Sequence, residues 1–393
     1  MAVNLTNADS ALKSYYLEAV SEQLNGSVNP FLAQIKKTSE NVWGKEVKQL
    51  AIHGINGGIG AGTEDGNLPT ARGNRYAQFT STLKNLYGTI EISDKAIRAS
   101  ENNSGAFVSL LNQEMEGLIK ASSFNLGRML FGDGSGVLAA VTTANGGSVF
   151  TLDTVAPFME GMIVDFRTSA GVAIEGATER EIIEVNRASK TIKVSGTALT
   201  SSTVPATSVI SVHGSYNNEI TGLAAIFNDS VTTLYGVTKS TNTWIKPKVK
   251  AQSGAITEAA IQSVLDSIEE AGGEQANLII TSFGVRRAFI NLLSQNKRTV
   301  DSIDLAGGFK ALSYNGIPVI ADRFCPAGTM YILNTKDFTL NELCDWQWLT
   351  DDDGKVLRQV PGKPVYTATL VKYAELICAR PYAQGAITSI TEA

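Results

Sequence analysis

Thr257-Glu-Ala-Ala-Ile-Gln-Ser-Val-Leu-Asp-Ser-Ile-Glu-Glu-Ala-Gly272 is followed almost at once by Leu278-Ile-Ile280, and the reading of that succession decides the fold. Ile261, Val264, Leu265 and Ile268 recur at the spacing of one helical face. Thr257 is placed to cap the N-terminus, and Gly272-Gly273 can release the last carbonyls. Leu278 to Ile280 is short, continuous and apolar, as in a strand covered on both faces. Ser282 can then cap a second helix carrying Val285, Phe289, Leu292 and Leu293. Asn315-Gly316 reads as a turn, with strands at Ile317 to Ile320 and Met330 to Leu333. Pro318 has no amide to donate, which places its strand at an edge or a bulge. Residues 256–333 therefore read as a compact α/β domain.

Working outward, 393 residues allow roughly two or three domains of ordinary size. A net charge of -5 with 43% hydrophobic residues argues against a disordered chain and against a polybasic nucleic-acid surface. No apolar run approaches the roughly 20 residues that span a bilayer. Met1-Ala-Val-Asn-Leu-Thr6 has neither the basic nor the apolar region of a signal peptide, so a cytoplasmic chain without membrane contact is expected. Cys325, Cys344 and Cys378 are widely spaced in apolar or aromatic surroundings and read as free thiols. His53 and His213 are the only histidines, and without a CxxC or HxxxH no metal or cofactor site is expected.

Residues 1–45 carry Leu12, Tyr15, Tyr16, Leu17, Val20 and Leu24 at helical spacing, too little apolar surface to fold alone. From 46 to 92 two strand-like limbs, Val47 to Ile52 and Tyr76 through Leu83 to Ile92, flank a glycine-rich centre from Gly54 to Gly66. A ribbon of this kind is marginal in water by itself and needs a partner surface. No GxGxxG is completed there and no GKS or GKT follows, so a mobile loop is the better reading than a phosphate cradle. Ser104 to Phe131 is the longest helical signal, about 40 Å at the usual rise, and it stops at Gly132-Asp-Gly-Ser-Gly136. Residues 148–215 form a β segment, with strands at Met162 to Phe166, Val172 to Ile174, Glu181 to Val185, Thr191 to Val194 and Val209 to Val212; a small inserted barrel or sandwich is expected. Trp244 to Lys250 reads as an extended connector. Further strands follow Leu333, with a solvated hairpin tip at Asp351-Asp-Asp-Gly354 and a last returning segment from Pro364 to Arg380.

Nothing in this order assembles into chemistry. Neither histidine sits in a triad motif, no GxSxG is present, and the carboxylate pairs Glu64-Asp65 and Glu269-Glu270 fall on a ribbon tip and a helix surface.

The order of parts resembles that of the major capsid proteins of tailed bacteriophages, whose shell fold is shared with encapsulins. Residues 1–45 look like the N-terminal arm, 46–92 like the extended β-hairpin loop, and 104–131 like the spine helix of a peripheral domain made of 93–147 and 334–393. Residues 216–333 look like the axial α/β domain, and 148–215 resembles the insertion domains of some members. Phe131-Gly-Asp-Gly-Ser-Gly136 and Ile220-Thr-Gly-Leu223 match short family-like patterns after the helix. The resemblance implies an α+β shell protein, not an enzyme, that self-assembles into hexamers and pentamers of an icosahedral head around double-stranded DNA driven in by a motor. It further implies scaffold, portal and decoration partners, and a virion subunit assembled in the host bacterial cytoplasm. An encapsulin-like compartment shell is the alternative within the fold, disfavoured by the inserted β segment, and an enzyme with an unrecognised site is the alternative outside it.

The same resemblance names contact residues. The arm, with Tyr15, Tyr16 and Leu17, and the ribbon are expected to bury apolar groups on neighbouring subunits. Some members weld subunits by an isopeptide bond from a loop lysine to a neighbour's asparagine. Here Lys48 stands at the ribbon base and Lys84 on the descending limb, with no lysine between them. A non-covalent shell is expected, with Glu64, Asp65, Arg72 and Arg75 free for charge pairs with neighbours.

Overall fold

A computed structural model describes residues 29–96, 104–143, 146–272, 274–295, 302–305, 309–350, 354 and 356–393. The helix read from the sequence runs over Ser104–Phe131. Met115, Ile119, Leu126 and Leu130 are buried along it at helical spacing. This stripe lies against a five-stranded sheet, which comes so near at Gly88 that a Cβ there would stand 2.8 Å from Leu118 Cδ1.

The centre of that sheet is the 14-residue strand Val365–Cys378. Lys84–Ser93 pairs with one edge over ten residues, from Lys84↔Ala374 to Ser93↔Val365. Phe338–Trp348 and Arg358–Gln359 pair with the other edge. Lys36–Thr38, from the end of the N-terminal region, extends the sheet in parallel beside Thr339 to Asn341. Two register shifts, between Glu342 and Cys344 and between Cys344 and Gln347, swing both acids of that bend onto Lys372. Lys372 is fully buried, with Nζ 2.5 Å from Glu342 and 2.6 Å from Asp345. Burial works to raise the Asp345 carboxyl, but Lys372 and Lys37 together outweigh it and hold the group at about 2.

The segment 256–333 forms most of a second, seven-stranded sheet. Its order is Lys248–Gly254, Gly385–Ile390, Met330–Leu333, Leu278–Thr281, Ile317–Ala321, Phe309–Tyr314, Ser302–Leu305. Leu278–Thr281 lies in the middle and is buried at every position, as its unbroken apolar run requires. Helix Glu258–Glu270 packs Ile261, Val264, Leu265 and Ile268 on the sheet. Thr257 Oγ1 accepts the Ala260 amide at 3.1 Å, and Gly272 at φ +77° follows the last turn. Helix Phe283–Gln295 begins with Ser282 Oγ accepting from the Val285 amide.

Several boundaries differ from the sequence reading, each for a local reason. Pro318 is in an interior strand, paired on both sides. Asn315 and Gly316, both at positive φ, make a two-residue turn that leaves Tyr314↔Ile317 as the closing pair. Ser313↔Pro318 is then a pair whose amides point away from each other, and the parallel ladder to Leu278–Thr281 starts only at Val319. Proline therefore sits where neither neighbour needs its donor. Lys248–Gly254, read as part of a connector, is a strand parallel to Gly385–Ile390. Those last residues thus close the α/β sheet rather than the five-stranded one, to which 334–393 was assigned.

The ribbon ends at Thr82, not Ile92. The Leu83 amide bonds back to Lys45 O, and the chain then leaves to pair with Val365–Cys378.

The β segment is a closed barrel of six strands in the order Thr191–Val194, Val149–Leu152, Val137–Thr143, Val209–Val212, Ile163–Arg167, Arg180–Asn186. It has its own core, including Phe150, Phe158, Phe166, Ile182 and Ile192. Its third strand in that order, Val137–Thr143, precedes the boundary read at 148, because a closed barrel needs a partner for both Val149–Leu152 and Val209–Val212. Val172 to Ile174 makes only an isolated bridge, Arg167↔Ala173. The barrel leaves and rejoins the rest of the chain at one place. A Cβ on Gly136 would stand 2.8 Å from Ser215 O, and the Asn217 amide bonds to Ser135 O at 2.7 Å. Replacing 137–214 with a short Gly/Ser linker is therefore expected to give a soluble, cooperatively unfolding subunit. Removing 148–215 strands Val137–Thr143 without partners and is expected to give insoluble protein; equal behaviour of the two deletions in a solubility and melting assay would contradict the barrel's independence.

Candidate assembly interface

Glu46–His53 and Arg75–Thr82 pair antiparallel in unbroken register, from Glu46↔Thr82 to His53↔Arg75. Side chains alternate between the two faces of such a ribbon. The face carrying Val47, Ala51 and Phe79 is buried. Phe79 lies 5.5 Å from the Tyr235 ring and 6.0 Å from the Trp244 ring, and His53 stacks on Trp244 at 4.3 Å. The Thr80 amide donates to Tyr235 O, and the Tyr235 hydroxyl accepts from the Cys378 amide at 3.1 Å. The base of the ribbon is thereby tied to the five-stranded sheet.

Among the described residues nothing comparable covers the opposite face. Leu50, Ile52 and Tyr76 are 61%, 56% and 56% exposed, and toward the tip Ile55, Ile59 and Leu68 are 78%, 73% and 90% exposed. A contiguous apolar surface of this kind on a soluble protein marks an interaction site. The signal was present in the sequence. Val47 and Ala51 fall on odd positions and Leu50 and Ile52 on even ones, so the strand is apolar on both faces, as in one covered from both sides.

Of the charged residues singled out in the sequence, Glu64, Asp65, Arg72 and Arg75 all lie exposed on the ribbon and its tip. None makes an ion pair among the described residues. Tyr15, Tyr16 and Leu17 lie outside the described residues, as does most of the hairpin tip at 351–354.

What places the barrel is the junction beyond the long helix. Phe131-Gly-Asp-Gly-Ser-Gly136 and Ile220-Thr-Gly-Leu223 come together there. Gly222 packs on the helix end so closely that a Cβ would stand 2.4 Å from Met129 O and 2.5 Å from Leu130 O. Beside it Arg128 forks onto Glu219 at 2.7 and 2.6 Å, with both side chains buried, while Asn125 accepts from the remaining guanidinium edge. No periodicity announces that pair, since Arg128 and Glu219 meet only through the fold. The Thr221 amide donates to Glu375 Oε1 at 2.9 Å. Glu375 is fully buried, its Oε2 has no partner, and burial raises its carboxyl to about 7.

Among the described residues the nearest thing to a catalytic arrangement is His213, whose Nδ1 lies 2.8 Å from Asp165 Oδ1. The neighbouring hydroxyl, Ser211, accepts from Arg167 Nε at 3.1 Å and so faces the guanidinium. No group of three potential metal-binding side chains converges among those residues.

The Glu375 carboxyl ionises more easily in the unfolded chain than in the folded one. Its contribution to stability is therefore complete below the unfolded value near 4.5 and is lost as pH rises through about 7. Relative to the parent, Glu375→Gln should gain on the order of 3 kcal/mol between pH 5 and pH 8, the linkage equivalent of that shift. Denaturant midpoints at the two pH values check this; parallel profiles for parent and variant would contradict it.

A family model for the SU10 major capsid protein matches residues 185–355, from inside the barrel to the strand Phe338–Trp348 and just beyond it. No curated protein matches the chain. Among solved structures, the capsid asymmetric unit of cyanophage A-1(L) is similar over 93% of this chain and 94% of that one, with 14% identity and a TM-score of 0.58. The capsid of an empty GTA particle covers 92% and 90% with 12% identity and a TM-score of 0.48. An encapsulin complex from Synechococcus elongatus covers 91% and 85% with 9% identity and a TM-score of 0.45. Residues 185–355 thus match the family model of a phage capsid protein, and the fold of the chain is similar to that of a phage capsid protein.

Proposed function

We propose that the protein self-assembles into hexamers and pentamers of an icosahedral head that encloses double-stranded DNA. The observation that supports this reading most is the ribbon, held rigidly at its base on one face and uncovered and apolar on the other. In this reading residues 46–82 are the extended loop, and the five-stranded sheet with its long helix is the peripheral domain. The seven-stranded sheet is the axial domain, the barrel is the insertion, and 1–45 is the arm. Leu50, Ile52 and Tyr76 pack on a neighbouring subunit, each contributing roughly 1.5–3 kcal/mol if fully buried. Glu64, Asp65, Arg72 and Arg75 form charge pairs across that boundary, each worth about 1 kcal/mol or less and weakened by salt. Scaffold, portal and decoration proteins are the other partners, and assembly takes place in the host cytoplasm.

Electron microscopy of the purified protein tests the reading, with closed polyhedral shells expected and only unassembled or irregular material contradicting it. Leu50→Asp combined with Ile52→Asp places two charges on the uncovered face without touching the buried one. The expected result is a subunit that melts within a few degrees of the parent yet sediments unassembled. Normal shells from this variant would contradict the role of that face.

The shell should also be non-covalent. Residues 54–74 contain no lysine, Lys48 pairs with Glu46 at 3.3 Å, and Lys84 Nζ donates to Asn217 O at 3.1 Å. Boiled particles are expected to run as one monomer band on a denaturing gel, and a ladder surviving reductant would contradict this.

A further inference from the structure

A cleft of about 580 Å³ separates the barrel from one end of the seven-stranded sheet, a volume within the range of ligand pockets. Of the four arginines in its lining, Arg128 is paired with Glu219 and Arg287 donates to Ala393 O, which leaves Arg187 and Arg323 on opposite sides. Arg187, in the barrel turn after Arg180–Asn186, is fixed by donating to Val155 O and Phe158 O, each at 3.2 Å. Arg323, just past the strand Ile317–Ala321, lies over the rings of Phe124 and Phe324 at 4.8 and 5.4 Å.

Neither guanidinium has a carboxylate at ion-pairing distance among the described residues. They are close enough to disfavour each other, since Arg187 is the next cause after burial in lowering the Arg323 pKa. The acids of the same lining are engaged elsewhere. Asp153 accepts the amides of Ala140 and Thr154, Asp322 accepts that of Phe324, and Glu392 accepts that of Gly328. Asp322 acts on Arg323 from the next position, yet among the described residues no carboxylate is paired with either guanidinium, and two like charges so placed in a cleft partly removed from water favour an anion that joins them.

We propose that this cleft is a binding site for a phosphate group, held between the guanidinium forks of Arg187 and Arg323. A planar fork matches phosphate oxygens two at a time, and one dianion answers both charges where a carboxylate answers one. Free phosphate and the singly charged phosphodiester of a nucleic acid share the two-oxygen geometry that the forks read, the diester answering one charge only. The site does not depend on how subunits assemble.

Calorimetric titration of the full-length protein with inorganic phosphate, against chloride at equal ionic strength, tests the proposal. Saturable binding is expected with phosphate alone. Arg323→Gln should weaken it at least tenfold, as for loss of a charge-assisted hydrogen bond. Arg187→Lys, which keeps the charge and loses the fork, should weaken it less. If a variant fails to fold, phosphate should still protect Arg323 of the unaltered protein from phenylglyoxal, read by peptide mass. Competition by a short DNA duplex assigns the site to a phosphodiester backbone, and lack of competition assigns it to free phosphate. Equal responses to phosphate and chloride, an unchanged affinity in Arg323→Gln, or modification of Arg323 at the same rate with phosphate present would overturn the proposal.

Discussion

Three separately built bodies meet at four residues, Glu219 to Gly222. Gly222 seats on the carbonyls that end the long helix, Glu219 binds Arg128 from that helix in a buried fork, and the Thr221 amide is held by Glu375 from the central strand of the five-stranded sheet. Breaking a buried pair such as Arg128–Glu219 leaves an uncompensated charge and costs about 3–5 kcal/mol. The barrel ends within a few residues of this point, so its placement against the helix follows from the same contacts. Burial pushes the Glu375 carboxyl up to about 7, because the protonated group, with one oxygen bonded and the other unpartnered, is cheaper to bury than a carboxylate in the same position.

From that frame the ribbon projects with one face attached and one face open. The attached face is aromatic, Phe79 and His53 against Trp244 and Tyr235, and fixes the direction of the ribbon. The open face supplies apolar surface that the described residues of the subunit do not bury. A two-stranded ribbon is marginal in isolation. Its base is stabilised inside the subunit; in the shell proposed above a neighbour stabilises its outer half, so that assembly and ordering of the ribbon would be one event.

The parts legible in the sequence were those whose local chemistry states its own conformation. Thr257, Gly272 and the stripe Ile261–Val264–Leu265–Ile268 mark a capped amphipathic helix without reference to anything distant. Leu278 to Ile280 could only be a doubly covered strand, and Ser104 to Phe131 only a long helix. What was not legible depended on partners. The alternation from Tyr76 to Ile92 continues through Leu83 although the strand changes sheets there, because a period of two is the same whichever strand lies alongside. Pro318 argued for an edge until the turn at Asn315-Gly316 set its register. The strand Val137–Thr143 was placed with the peripheral domain, 93–147, because closure of the barrel, a long-range condition, is what assigns it. Of the candidate contact residues, the charges at the tip are exposed, as their setting in a glycine-rich loop implies. The ribbon was expected to bury apolar groups on neighbours, but the residues of its open face were not named, because Leu50 and Ile52 were read as one run with Val47 and Ala51 rather than as a second face.

Amide hydrogen exchange of the ribbon in free subunits and in assembled particles tests most directly the claim that the open face is completed by another copy. Peptides covering residues 46–82 are predicted to gain protection on assembly, most strongly around Leu50 to Ile59 and Leu68 to Tyr76. Those covering the buried barrel strands Ile163–Arg167 and Thr191–Val194 are predicted to exchange alike in both states. Equal exchange of the ribbon before and after assembly would contradict the account.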